Sequence, residues 1–167
     1  MAKSSGLAVL ALLIAVGALG LGVYQMFSAV PGDEGSGIKN TWDKSHYSPL
    51  YTNPTGTLLP VSQLTINFTV SSGEHVYFYF NTWAVVYAGV NSYIEFHFML
   101  DGALLSSPPY PWWVFRTFGD RIESPISCQL SHDNVTAGAH YVTISISGSD
   151  VNNNIRSSTL IVQTYIP

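Results

Sequence analysis

The residues best suited to chemistry in this 167-residue chain are few and scattered. His75, Glu95 and His97 occupy polar positions of two neighbouring hydrophobic stretches. Two imidazoles and a carboxylate suit a divalent metal if the stretches lie side by side. Nothing in their spacing enforces that register, and scattered histidines are commoner than ligands, so no metal site is assigned. Asp101, Asp120 and Asp133 stand apart instead of in the acidic loop repeats that calcium needs. Cys128 alternates with Ile126 and Leu130 on an apolar stripe, the pattern of a buried small hydrophobe and not of a nucleophile. The chain lacks a Gly-x-Ser-x-Gly elbow, a His-Glu-x-x-His helix and a phosphate-cradling glycine loop. The expectation is a protein with no catalytic residue and no cofactor.

Binding chemistry is better represented. Ser107–Trp113 reads SPPYPWW, a stiff loop that can present Tyr110, Trp112 and Trp113 to a sugar ring or a protein partner. The tryptophans can equally plug the end of a β domain. Tyr77, Tyr79 and Tyr93 lie opposite apolar stripes. They are good strand formers, and they are also the residues expected where a second copy covers a sheet, so they are read as a subunit interface. Asn67-Phe68-Thr69 and Asn134-Val135-Thr136 are N-glycosylation sequons, one on the polar side of a strand and one in a turn.

What positions these residues is a set of short strands. Leu64, Ile66, Phe68 and Val70 alternate with polar residues, as do Val76, Phe78 and Phe80, and Ile94, Phe96, Phe98 and Leu100. Asp101-Gly102 signals a tight turn. Further strands are expected over 112–118, 125–132, 140–147 and 158–166, with a turn-rich irregular arm over 47–60. Seven or eight short strands in about 130 residues, with no helical periodicity after Val30, predict an all-β antiparallel sandwich, jelly-roll-like.

Before the strands lies a different segment. Leu7–Phe27 is uncharged over 21 residues, enough helix to span roughly 30 Å of hydrocarbon. The expectation is a single N-terminal transmembrane helix. Lys3 precedes it and Asp33 and Glu34 follow, which favours a cytoplasmic stub (1–6) and an exterior C-terminal part. Residues 28–37 form a Gly/Pro hinge, and 38–167 the β domain. Ala11, Ala15, Ala18 and Gly22 fall on one stripe where helix backbones can approach closely. The short leader ending at Gly6, the apolar helix and the β domain together resemble archaeal type IV pilins and archaellins. That likeness implies a clipped leader and a filament with a helical core. Retention as an anchor and removal as a signal peptide are the other readings.

Composition narrows the function class. The chain is 47% hydrophobic and 13% aromatic, with 10% charged residues and a net charge of −4. Average domains carry roughly a quarter charged residues. A nucleic-acid partner is excluded by the shortage of Lys and Arg, and one cysteine excludes an intrachain disulfide framework. Residues 38–167 hold only thirteen charges, so a wholly water-facing surface is not expected, and self-association or glycan cover is.

The segments Gly73-Glu74-His75-Val76-Tyr77-Phe78, the strand entering Asp101-Gly102, Ala137–Ile144 and Ser157–Val162 resemble a C1q/TNF-type jelly roll. The layout of anchor, hinge and sandwich is also similar to small surface proteins of Asgard archaea. The C1q/TNF-type likeness implies trimers that bind partners through loops and subunit interfaces. The expectation is a non-catalytic, membrane-anchored cell-surface protein that self-associates in a structural or adhesive role. The alternatives are a pilin-like filament subunit and a surface lectin or receptor. The expected partners are membrane lipid, further copies of the chain as trimer or filament, and a glycan or surface protein.

Overall fold

The computed structural model describes residues 37–54, 56–105 and 112–167, and these form a two-sheet antiparallel sandwich. One sheet holds β1 (Gly37–His46), β2 (Leu50–Tyr51), β5 (His75–Val86), β9 (Ile122–His132) and β11 (Asn154–Ile166). The other holds β3 (Leu59–Pro60), β4 (Ile66–Val70), β6 (Ser92–Leu100), β7 (Ala103–Leu104), β8 (Trp113–Thr117) and β10 (Gly138–Gly148). Counting β1/β2, β3/β4 and β7/β8 as single ranks, the order is 1-8-3-6 in the first sheet and 2-7-4-5 in the second. That is the double Greek key of a jelly roll.

The period-two pattern explains which side of each strand is buried. On β5, Val76, Phe78 and Phe80 are fully buried, and on β6 Ile94, Phe96 and Phe98 face them. The sheets meet through ring pairs: Phe78 and Phe98 lie 5.7 Å apart and Phe80 and Phe96 6.0 Å apart. Each such buried phenylalanine contributes about 2–3 kcal/mol. Asp101 and Gly102 both have positive φ, the backbone of a two-residue hairpin turn between β6 and β7.

Three expectations need correction. Leu64 belongs to a 3-10 turn (Ser62–Leu64), and the strand begins at Ile66. The stretch Gly37–His46 is a ten-residue strand that alternation does not reveal, because it is an edge strand with only Trp42 and His46 half-buried. The stretches carrying His75 and His97 are not neighbours either, since the chain crosses to the other sheet between β5 and β6. The expected helix over 7–27, with Ala11, Ala15, Ala18 and Gly22, lies outside the described residues, as does Tyr110. Among the described residues no helix is long and apolar enough to cross a membrane.

Candidate functional site

The outer face of the first sheet is mostly uncharged around Tyr77 and Tyr79, with Asp43, Glu123 and Asp133 at its margins. Tyr77 and Tyr79 stand there half-buried, flanked by Gln163 and Ile161 on β11 and by Ser131 and Gln129 on β9. Tyr77 donates from its hydroxyl to Gln129 at 2.8 Å, and Ser131 and the Tyr165 hydroxyl are 2.8 Å apart. Trp83 continues the row and donates to Glu123 at 3.1 Å. Tyr93 does not join this face. It lies on β6, in the opposite sheet, so the three tyrosines do not share one face.

Tyr93 instead belongs to a second surface, built on the edge strand β8. Trp113 and Phe115 turn inward, Trp113 meeting Phe98 edge-on at 5.6 Å. The alternate positions turn outward: Trp112 is 53% exposed, Val114 40% and Phe118 74%. Between them Arg116 lays its guanidinium over the Tyr93 ring at 5.5 Å and the Phe118 ring at 5.9 Å. Tyr93 is itself anchored, its N–H donating to the Ser149 hydroxyl at 2.9 Å and its carbonyl accepting from the Asn153 amide at 2.9 Å. Of the aromatics of the SPPYPWW stretch, Trp112 is therefore presented to solvent and Trp113 is packed inward. The sequence reading does not single out Arg116 and Phe118. Their signal was the continued alternation from Trp112 to Phe118.

A third feature lies where edge strand β1 of one sheet passes edge strand β4 of the other. Trp42 packs 5.9 Å from Phe68, and Phe68 lies 5.8 Å from His140. With Asn67, Thr69 and Tyr141 they line an open groove of about 380 Å³. His140 is held from both sides: Nδ1 is 2.6 Å from the Asp101 carboxylate and Nε2 2.7 Å from the Thr136 carbonyl. Burial works against the imidazolium, but both acceptors and the charge of Asp101 outweigh it and raise the His140 pKa. The sequon residue Asn67 is exposed on β4, and Asn134 is exposed in the turn before β10.

The remaining candidates do not converge. His75 pairs with Asp133 at 3.0 Å on the first sheet, while Glu95 and His97 stand 3.7 Å apart on the second. Among the described residues no group of three or more His, Cys, Asp and Glu side chains is placed to hold a metal ion. Burial lowers the His97 pKa against the opposing pull of Glu95. Cys128 is fully buried opposite Phe80, and burial pushes its thiol up to about 12.

No protein-family model matches the sequence, and neither does any curated protein. Solved structures that overlap the fold include two carbohydrate-binding modules and a sugar-binding domain. One is the CBM36-1 domain of a multidomain xylanase from the hindgut metagenome of Trinervitermes trinervoides. It shows 10% identity and a TM-score of 0.39 over 74% of this chain and 96% of that one. Another is a CBM36 module in complex with calcium and xylotriose, at 13% identity and TM-score 0.40 over 75% and 91%. The third, the C-terminal domain of EclA, a sugar-binding protein, gives 12% and 0.34 over 80% and 89%. Overlap at this level assigns no ligand.

Proposed function

We propose that this chain is a non-catalytic surface-binding module that takes carbohydrate on the outward side of β8. The observation that carries the reading is the exposed row formed by Val114 on β8 and by Trp112 and Phe118 immediately flanking it, beside a strand whose other side is pinned in the core. Apolar rings left in water cost free energy that a sugar's C–H face relieves, and a strand positions them more rigidly than a free loop does. The sequence reading adds the setting: a membrane helix over Leu7–Phe27 that carries the domain on the cell exterior. The test is calorimetric titration of the full chain with a panel of neutral and acidic oligosaccharides. Binding that weakens in Trp112→Ala and in Phe118→Ala, with unchanged melting, supports the reading. No binding across the panel, or binding indifferent to both substitutions, overturns it.

A second reading, self-association, rests on a separate observation: the charge-poor, half-buried face around Tyr77 and Tyr79. Such a tyrosine-rich face can be covered by another copy. The C1q/TNF-type resemblance implies trimers, and the pilin-like one a filament. Both are compatible with sugar binding at β8, because the two surfaces lie on opposite sheets.

A further inference from the structure

We infer that the sugar taken on β8 is an acidic one, a uronic-acid residue whose carboxylate is read by Arg116. The inference rests on the carbohydrate reading above and adds the ligand's charge. Arg116 is exposed on the edge strand and forms none of the ion pairs found among the described residues. The carboxylate best placed to neutralise it, Glu95, is diagonal to it across β6. Glu95 turns the other way: it accepts from the Ser147 hydroxyl on β10 at 3.2 Å and lies 3.7 Å from His97. The other arginine at this end, Arg121, is committed to Glu123 and to the Tyr87 ring.

The geometry of Arg116 suits a ligand better than a solvated surface charge. Its guanidinium carbon lies 5.5 Å from the centre of the Tyr93 ring and 5.9 Å from that of Phe118, so the charge is set beside two aromatic surfaces. The N–H edges of the guanidinium take part in no ion pair found among the described residues. Those edges form the fork that matches the two oxygens of a carboxylate. Val114 precedes it and Phe118 follows at alternate positions, so a sugar ring lying on the apolar row brings its carboxylate within reach of the fork. In a chain with net charge −4, an unpaired cation set among exposed rings favours an anionic ligand over a neutral one at this spot.

The experiment titrates the full chain with three probes of equal length: oligogalacturonate, its carboxyl-reduced neutral form and a sulfated neutral oligosaccharide. Oligogalacturonate is expected to bind about tenfold or more tighter than the reduced form. Arg116→Gln should abolish that preference while leaving residual neutral binding. Arg116→Lys should restore only part of it, and raising the salt from about 0.05 to 0.5 M should erode it. Equal binding of acidic and reduced probes, an intact preference in Arg116→Gln, or stronger binding of the sulfated probe each overturns the uronate assignment while leaving carbohydrate binding standing. If no probe binds, the underlying reading fails and this inference with it. If Trp112→Ala or Phe118→Ala alters the mass of the assembly by light scattering instead of the titration, the row is a contact between copies, and the inference is again overturned.

Discussion

His140 and Asp101 form a clamp in which the imidazole donates from Nδ1 to the carboxylate at 2.6 Å while Nε2 donates to the Thr136 carbonyl at 2.7 Å. Both partners are acceptors, so the arrangement requires the imidazolium. It ties the Asp101-Gly102 turn to the loop carrying Asn134, and Asp101 also accepts from the Tyr141 N–H at 2.9 Å.

The clamp makes stability fall with rising pH on the alkaline side. The His140 pKa is raised in the fold, so its contribution is complete below the unfolded value of about 6.5 and is lost as pH rises through the folded one. Asp101 is held below its usual range, burial being outweighed by His140 and Tyr141, so its share is lost in acid as pH falls through that lowered value. His97 acts in the opposite sense: its lowered pKa gives stability that is present above about 6.5 and lost as pH falls. Thermal melting between pH 5 and 9 should therefore pass through a maximum, falling on the acid side with His97 and on the alkaline side with His140. His140→Gln should leave melting temperatures that only rise with pH across this range, and a variant with the wild-type alkaline decline would refute the clamp.

Trp112 and Trp113 are adjacent and should behave oppositely. Trp113→Ala removes a ring packed on Phe98 and is expected to cost about 2–4 kcal/mol in urea unfolding. Trp112→Ala should stay within about 0.5 kcal/mol, because that ring is largely exposed. Similar losses in both would mean that Trp112 is not available to a ligand.

Cys128 should resist thiol reagents in the native protein. Its side chain is buried opposite Phe80 and its pKa lies at about 12, so thiolate is scarce at neutral pH. Labelling by an aromatic disulfide should follow the unfolding curve in urea, and fast labelling without denaturant would show that the core opens locally at β9.

Gly148 has no room for a side chain. An added Cβ would meet the Thr52 hydroxyl and lie 2.8 Å from Thr52 Cβ, and Thr52 is fixed by its bond to the Asp150 carbonyl. Gly148→Ala should cost about 1–3 kcal/mol. Gly119→Ala, with nothing near its added Cβ, should be close to neutral in the same urea assay.

If the first sheet's outer face joins copies, a charge at its centre will part them. Tyr79→Lys should lower the mass measured by light scattering, whereas Tyr93→Lys, on the other sheet, should not. Equal effects, or none, would remove the Tyr77–Tyr79 face from the contact.

Alternation alone was enough to read β4, β6 and the long later strands, because Phe68 lies between exposed Asn67 and Thr69 and Phe96 follows half-buried Glu95. Buried and exposed sides of one strand are a local property with a period of two. It was also enough to read Asp101-Gly102 as a turn, since positive φ at both positions is a property of the residues themselves. β1 was illegible for the same reason: Gly37–His46 buries too little of itself to alternate.

Which strands become neighbours is not local. His75 and His97 look alike in sequence but fall in different sheets, as do Tyr79 and Tyr93, because a jelly-roll chain switches sheet between β5 and β6. Pairing is decided by how two amphipathic sheets bury their apolar faces against each other, which no single strand encodes. The sequence thus determined an all-β chain poor in charge and rich in aromatics. Only the tertiary structure set Arg116 beside Tyr93 and Phe118 and turned Glu95 away from it, leaving a cation against two rings and outside every ion pair found among the described residues.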